Sequence, residues 1–124
     1  MTTEEETKKT LNEADLANFT GTEQWYKHWL GPVYTEGVKY LAEHAGAFWL
    51  IDSIVINQTR PKVKGEEFQA WKLKVDLEKH TGVLTCDDGN GNIVYTEKVP
   101  FTDFPLPEIT IWYTNRTLLL PSEY

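Results

Sequence analysis

Trp71-Lys72-Leu73-Lys74-Val75-Asp76-Leu77-Glu78 is the stretch that decides the fold. Large apolar residues alternate strictly with charged ones, which is the period of a strand with one face buried and one face in water. A turn at 79–82 leads to a return strand, Val83-Leu84-Thr85-Cys86. Residues 87–92, Asp-Asp-Gly-Asn-Gly-Asn, carry Asn-Gly at their tip and read as a hairpin loop. A third strand runs over 93–99. Pro100, Pro105 and Pro107 then break the chain into irregular structure. Alternation resumes over 108–114, Asn115-Arg116 turns it, and 117–120 closes the sheet before Pro121. An inward Trp71 and an inward Trp112 make competing demands, because Trp112 is out of phase with Ile111 and Tyr113 on its own strand.

Upstream the period changes. Asn12 is a good helix N-cap, Asp15 follows at capping-box spacing, and Leu11 and Leu16 stand where a hydrophobic staple needs them. A short helix over 13–19 is expected, stopped by Thr20-Gly21. The aromatic run 23–29 favours a strand, Gly31-Pro32 turns it, and Val33-Tyr34 returns as a short paired strand. Thr35 caps a helix whose Val38, Leu41, Ala42 and Ala45 share one face, and Gly46 ends it. Residues 47–58 are dense in apolar residues, and their length favours a second helix over a strand. The polar, basic segment 59–65 reads as a flexible loop. Residues 1–10 read as a flexible tail and 11–124 as one domain. The expected class is α+β: N-terminal helices packed on an antiparallel β-meander of about five strands, in two layers.

The chain has 124 residues, 40 % of them apolar and 13 % aromatic, enough for a real core. Net charge is −7. That speaks against direct nucleic-acid binding, which needs cations to displace counterions from phosphates, and against anionic membranes. The charge is uneven. Six basic and four acidic residues fall within 60–79, leaving six basic and fifteen acidic elsewhere. The opening residues hold no apolar run of signal-peptide type and no stretch approaches the length of a membrane span. The lone cysteine, Cys86, has no intrachain partner. A cytoplasmic location is expected, and Asn-x-Thr triplets at Asn18, Asn57 and Asn115 are then coincidental.

Readings of the chain as a known chemical site fail at named residues. A calcium loop starting at Asp88 would have Ile93 where glycine belongs and Val99 where a bidentate glutamate belongs. Gly89-x-Gly91 lacks the third glycine of a dinucleotide fingerprint, Val94 standing there instead. Ser53 and Ser122 sit in no nucleophile motif. His28, His44 and His80 are not spaced as zinc ligands. No metal, cofactor or catalytic residue is expected.

Two groups remain. Trp25, Tyr26, Trp29, Tyr34, Tyr40 and Trp49 either form a ring-rich core or line a ligand pocket or interface. Asp52, inside Trp49-Leu50-Ile51-Asp52-Ser53-Ile54, is either the solvent side of a helix or a buried acid. The weak ligand-binding set is therefore Trp25, Tyr26, Tyr40, Trp49 and Asp52, with His44 as an alternative polar group.

Several strings together resemble a small bacterial family known only as a domain of unknown function. They are residues 19–26 (Phe-Thr-Gly-Thr-Glu-Gln-Trp-Tyr), Tyr34-Thr35-x-Gly37-Val38-x-Tyr40-Leu41-Ala42, Trp49-Leu50-x-Asp52, Cys86-x-Asp88-Gly89-Asn90-Gly91-Asn92, and the terminal Leu120-Pro121-Ser122-Glu123-Tyr124. The resemblance covers nearly the whole chain. It implies a bacterial, cytosolic protein of the kind carried on plasmids and other mobile elements, and it transfers no site residues.

Three functional readings follow. The first is a non-enzymatic binding or regulatory protein with a protein partner, of which a mobile-element-encoded inhibitor of a host defence system is one form. The second is a small-molecule-binding domain or modest enzyme walled by the aromatic set. The third is a homo-oligomeric scaffold, pairing through an exposed edge strand at 109–114 or 117–120.

Overall fold

A computed structural model describes residues 11–124; the expected tail at 1–10 lies outside the described residues. In chain order the elements are α1 (Glu13–Ala17), β1 (Trp25–Lys27), β2 (Val33–Thr35), α2 (Glu36–Ala45), α3 (Phe48–Ile56), a 3₁₀ turn (Asn57–Thr59) and α4 (Pro61–Lys64). The strands β3 (Phe68–Asp76), β4 (Thr81–Asp87), β5 (Ile93–Val99), β6 (Glu108–Thr114) and β7 (Thr117–Leu119) follow, and a last 3₁₀ turn spans Pro121–Glu123.

The fold is mixed α+β, but the expected five-strand meander is corrected. All seven strands form one sheet in the order β1-β2-β7-β6-β3-β4-β5. Only β3-β4-β5 run as a meander. The proline-broken segment 100–107 carries the chain back across β3 and β4, so that β6 pairs with the far side of β3. β7 then lies beside β2 in a parallel pair, Val33 opposite Thr117 and Tyr34 opposite Leu118, which draws the two N-terminal strands into the sheet. The strands expected as exposed edges, 109–114 and 117–120, are therefore interior. The edges are β1 and β5. On β5, Glu97 lies opposite Leu84 and so on the helix side, where Tyr95 Oη donates to it at 2.8 Å. An inward-pointing charge of this kind discourages edge pairing.

The alternation in β3 holds as read. Trp71 and Leu73 are buried with Leu84, Cys86, Ile111, Tyr113 and Leu118 under the helices. Phe68, Ala70, Lys72 and Lys74 take the opposite face. Trp112 goes with them, which resolves its conflict with Ile111 and Tyr113. Asn115 and Arg116 both adopt positive φ (52° and 57°), the conformation a two-residue hairpin requires. The turn between β3 and β4 falls at 77–80 instead of 79–82, because Asp76 Oδ1 accepts the N–H groups of Glu78 and Lys79, both at 3.1 Å.

Helix α1 is capped as expected, Asn12 Oδ1 accepting Asp15 N–H at 2.9 Å, with Leu11 and Leu16 both buried. Segment 47–58 is helical over Phe48–Ile56. The loop expected at 59–65 is instead two short helical turns. Pro61 fits the first position of α4, where no N–H is needed, and Val63 is fully buried. Buried Gln69 ties this corner together. Its amide Nε2 donates to the Val63 and Glu66 carbonyls, and it exchanges hydrogen bonds with Gln58. Among the described residues no helix is long and apolar enough to cross a membrane.

Candidate interaction surface

The sequence of α3 is Phe-Trp-Leu-Ile-Asp-Ser-Ile-Val-Ile, apolar but for Asp52 and Ser53. Leu50, Ile51, Ile54 and Val55 face the core and are buried. The opposite side shows Phe48, Asp52 and Ile56, one helical turn apart from one another. Phe48 is 44 % and Ile56 54 % exposed. A helix this apolar normally lies within a core. This one leaves two large apolar side chains in water.

The turn between β1 and β2 is fastened beside them. His28 is buried, and its Nδ1 accepts the Leu30 N–H at 3.1 Å. The ring proton is therefore on Nε2, which donates to Asp52 Oδ1 at 2.7 Å. Backbone bonds from His28 to Pro32 (2.8 Å) and from Gly31 to His28 (2.9 Å) stiffen the turn. Gly31 has φ of 120°, open to glycine alone, and a Cβ there would meet the Arg116 guanidinium. This frame presents Trp29, 81 % exposed and stacked on His28 at 5.9 Å, and Leu30, 45 % exposed. Both nitrogens of His28 are engaged, so the ring itself has no free nitrogen to take a further proton. The His28–Asp52 pair is a brace that holds the turn against the helix.

The sequence-derived site residues are divided among several places. Asp52 lies in the surface just described, with Trp49 half-buried beside it and packed on the core. Trp25 is exposed on edge strand β1. Tyr26 stacks on Tyr34 at 5.8 Å under the Lys39 ammonium, 4.6 Å from its ring. Tyr40 stacks on His44 at 3.9 Å and meets Phe19 at 5.1 Å. Burial, and secondarily Asp15, which accepts from its hydroxyl at 3.4 Å, push the Tyr40 phenol above its ordinary value. Sequence reasoning missed His28, Leu30, Phe48 and Ile56. The i, i+4, i+8 series Phe48-Asp52-Ile56 was the available signal.

The quoted motifs have structural work. Glu123 Oε1 accepts from the Thr35 hydroxyl (2.6 Å) and the Leu120 N–H (2.9 Å), while Oε2 accepts the Gly37 N–H (3.1 Å). The carboxylate of the C-terminal motif thus caps α2, where the helix dipole favours it. Thr22 Oγ1 accepts the Glu36 N–H at 3.1 Å and adds the 19–26 segment to the same helix start. In the 87–92 loop, Asp88 Oδ1 accepts the Asn90 and Asn92 N–H groups and Oδ2 the Asn92 amide. Those bonds, the Asn92 amide first, hold the Asp88 carboxyl below its ordinary value. Cys86 is buried. That burial, and then the charges of Asp87, Glu66 and Asp88, push its thiol up to about 12, which leaves no thiolate at neutral pH.

Residues 10–124 match a family of unknown function, DUF6876. The chain belongs to that family. No curated protein and no solved structure matches it.

Proposed function

We propose that this member of DUF6876 is a non-enzymatic binding protein that engages a protein partner through the outer face of α3 and the β1–β2 turn. The observation that carries the reading is the exposure of Trp29, Leu30, Phe48 and Ile56 on braced secondary structure around the His28–Asp52 pair. Large apolar side chains exposed close together on a small domain mark an interaction site, and aromatic side chains with few rotamers are suited to it. Covering roughly 300 Å² of it is worth about 7 kcal/mol before the costs of association. Fifteen acidic against six basic residues outside 60–79 favour a partner whose apolar pocket is rimmed by cations. An inhibitor of a host defence system, encoded on a bacterial mobile element and acting in the cytoplasm, belongs to this reading as its most specific form. The partner's identity decides it.

The test is affinity capture from a bacterial lysate at low salt. The full chain is compared with a Phe48→Lys/Ile56→Lys variant shown by circular dichroism to be folded. The expected result is a protein recovered by the first and lost by the second. Equal recovery by both, or recovery of nothing by a monomeric wild type, overturns the proposal.

A further inference from the structure

The helices cover one face of the sheet. The other face holds a groove of about 700 Å³, within the usual range for small-molecule sites. Strand register arranges the side chains of this sheet face, with Thr96, Lys98 and Glu108 outside the groove lining, in three rows. The first row is Trp112-Ala70-Asp87-Ile93, the second Thr110-Lys72-Thr85-Thr96 and the third Glu108-Lys74-Val83-Lys98. Along the groove the chemistry therefore passes from aromatic, through hydroxyl, to ammonium.

The aromatic end is built in advance. Phe68 and Trp112 meet edge-to-face, with centroids 5.2 Å apart and planes at 68°, and form a corner above the small side chain of Ala70. Tyr124 bears on Trp112 at 5.4 Å. The 87–92 loop bears on Phe68: a Cβ at Gly89 would lie 2.9 Å from its ring, so glycine is needed for the approach, and its φ of 92° requires glycine as well. Asp87 also lines the groove at this end, its Oδ1 accepting the Gly89 and Gly91 N–H groups. At the other end Lys72 pairs with Glu108 at 3.7 Å, and Lys74 has no ion-pair partner among the described residues. Lys72 and Lys74 stand about 7 and 14 Å along the strand from Ala70. This cationic end lies in a chain of net charge −7.

We infer that the groove binds a nucleoside phosphate. The base stacks in the Phe68–Trp112 corner, the sugar hydroxyls meet Thr85 and Thr110, and the phosphates lie over Lys72 and Lys74. A flat ring alone leaves the lysines unused, and an inorganic anion leaves the aromatic corner unused. The base suits the first row, and sugar and phosphates suit the hydroxyls and ammonium groups of the second and third, where Glu108 pairs with Lys72. The site is separate from the surface on α3 and does not depend on it.

The test is calorimetric and nuclear magnetic resonance titration of the full chain with ATP, GTP, CTP, UTP, adenosine, pyrophosphate and a six-nucleotide RNA. At least one nucleotide is expected to bind about tenfold or more tightly than adenosine or pyrophosphate, with shifts at Ala70, Thr85 and Trp112. Lys74→Glu, at an exposed position, should weaken that binding about tenfold with Tm unchanged. Trp112→Leu should weaken it further. Four results overturn the inference: no nucleotide binding at about 1 mM, pyrophosphate binding as tightly as the nucleotides, binding untouched by Lys74→Glu, or the RNA binding more than about tenfold tighter, which would make the groove a single-strand platform.

Discussion

Helices α2 and α3 follow each other in the chain and cover the same side of the sheet, yet they meet water differently. Helix α2 is amphipathic. Val38, Leu41, Ala42 and Ala45 face inward, while Lys39 and Glu43 pair at 3.9 Å outside. It starts on the Thr35 cap and ends on Gly46 in the left-handed conformation. Helix α3 has no side-chain cap, no acidic first turn and no basic last turn, and its outer face carries Phe48 and Ile56 on either side of Asp52. Local signals would form α2 in many contexts. Tertiary burial of one face holds α3, and that burial does not account for Phe48 and Ile56. The difference separates residues the fold needs from residues it merely carries.

The largest effects should appear where the two helices are alike. Leu41→Ala in α2 and Ile54→Ala in α3 remove fully buried side chains, and each should cost about 2–5 kcal/mol in urea unfolding. Markedly unequal losses would mean that the inner faces differ too. Next comes the anchored start of α2. A Cβ at Gly37 would lie 2.6 Å from Glu123 Oε1 and 2.8 Å from Leu120 Cδ1, so Gly37→Ala should cost roughly 1–3 kcal/mol. Glu123→Ala should cost about as much through its lost charged hydrogen bonds, and the double variant should lose less than the two singles together. Strict additivity in that cycle would show that the carboxylate and the glycine are not coupled.

The outer faces should then diverge in binding and not in stability. Phe48→Lys and Ile56→Lys should each change stability by no more than about 0.5 kcal/mol while weakening partner binding at least about tenfold. A stability loss as large as that of Ile54→Ala would return the exposed face to the fold and erase the contrast. The smallest effect at neutral pH concerns the sheet beneath both helices. The Cys86 thiol is raised to about 12 from an ordinary value near 8.5. Its protonated form is favoured in the folded state. The contribution is fully present below the ordinary thiol value and is lost as pH rises toward the folded one. Stability should therefore fall across that alkaline window, and Cys86→Ala should flatten the slope. A native chain that reacts readily with a thiol reagent at neutral pH would contradict the burial behind it.

Much of this was legible in order of sequence distance. The alternation at 71–76, the Asn12 and Thr35 caps and the Asn115-Arg116 turn are contained within a few residues, and each formed as read, whereas Leu77 falls in the turn and is exposed. Segment 47–58 showed its helix through length but hid its orientation, since a sequence this dense in apolar residues does not say which side is bare. Segment 59–65 looked like a loop because its lysines outnumber Val63, and one buried valine with Pro61 at a helix start sufficed to fold it. The pairing of Val33 with Thr117 leaves no local trace, because its register is set between strands more than eighty residues apart. The aromatic residues stood out as a class in the sequence. Their division among β1, α2 and α3 depends on that same long-range pairing.

The carboxylate of Glu123 gives the fold an order in time. Synthesis runs from the N-terminus, so α2 is made long before the segment that caps it, and β2 waits for β7 as its parallel partner. Until residues 117–123 have been made, the start of α2 has its Thr35 cap but lacks the Glu123 carboxylate, and the two N-terminal strands are a hairpin without a sheet. Those seven residues therefore act as a completion signal, and a nascent or truncated chain lacking them would have its apolar helices on the sheet side unsealed.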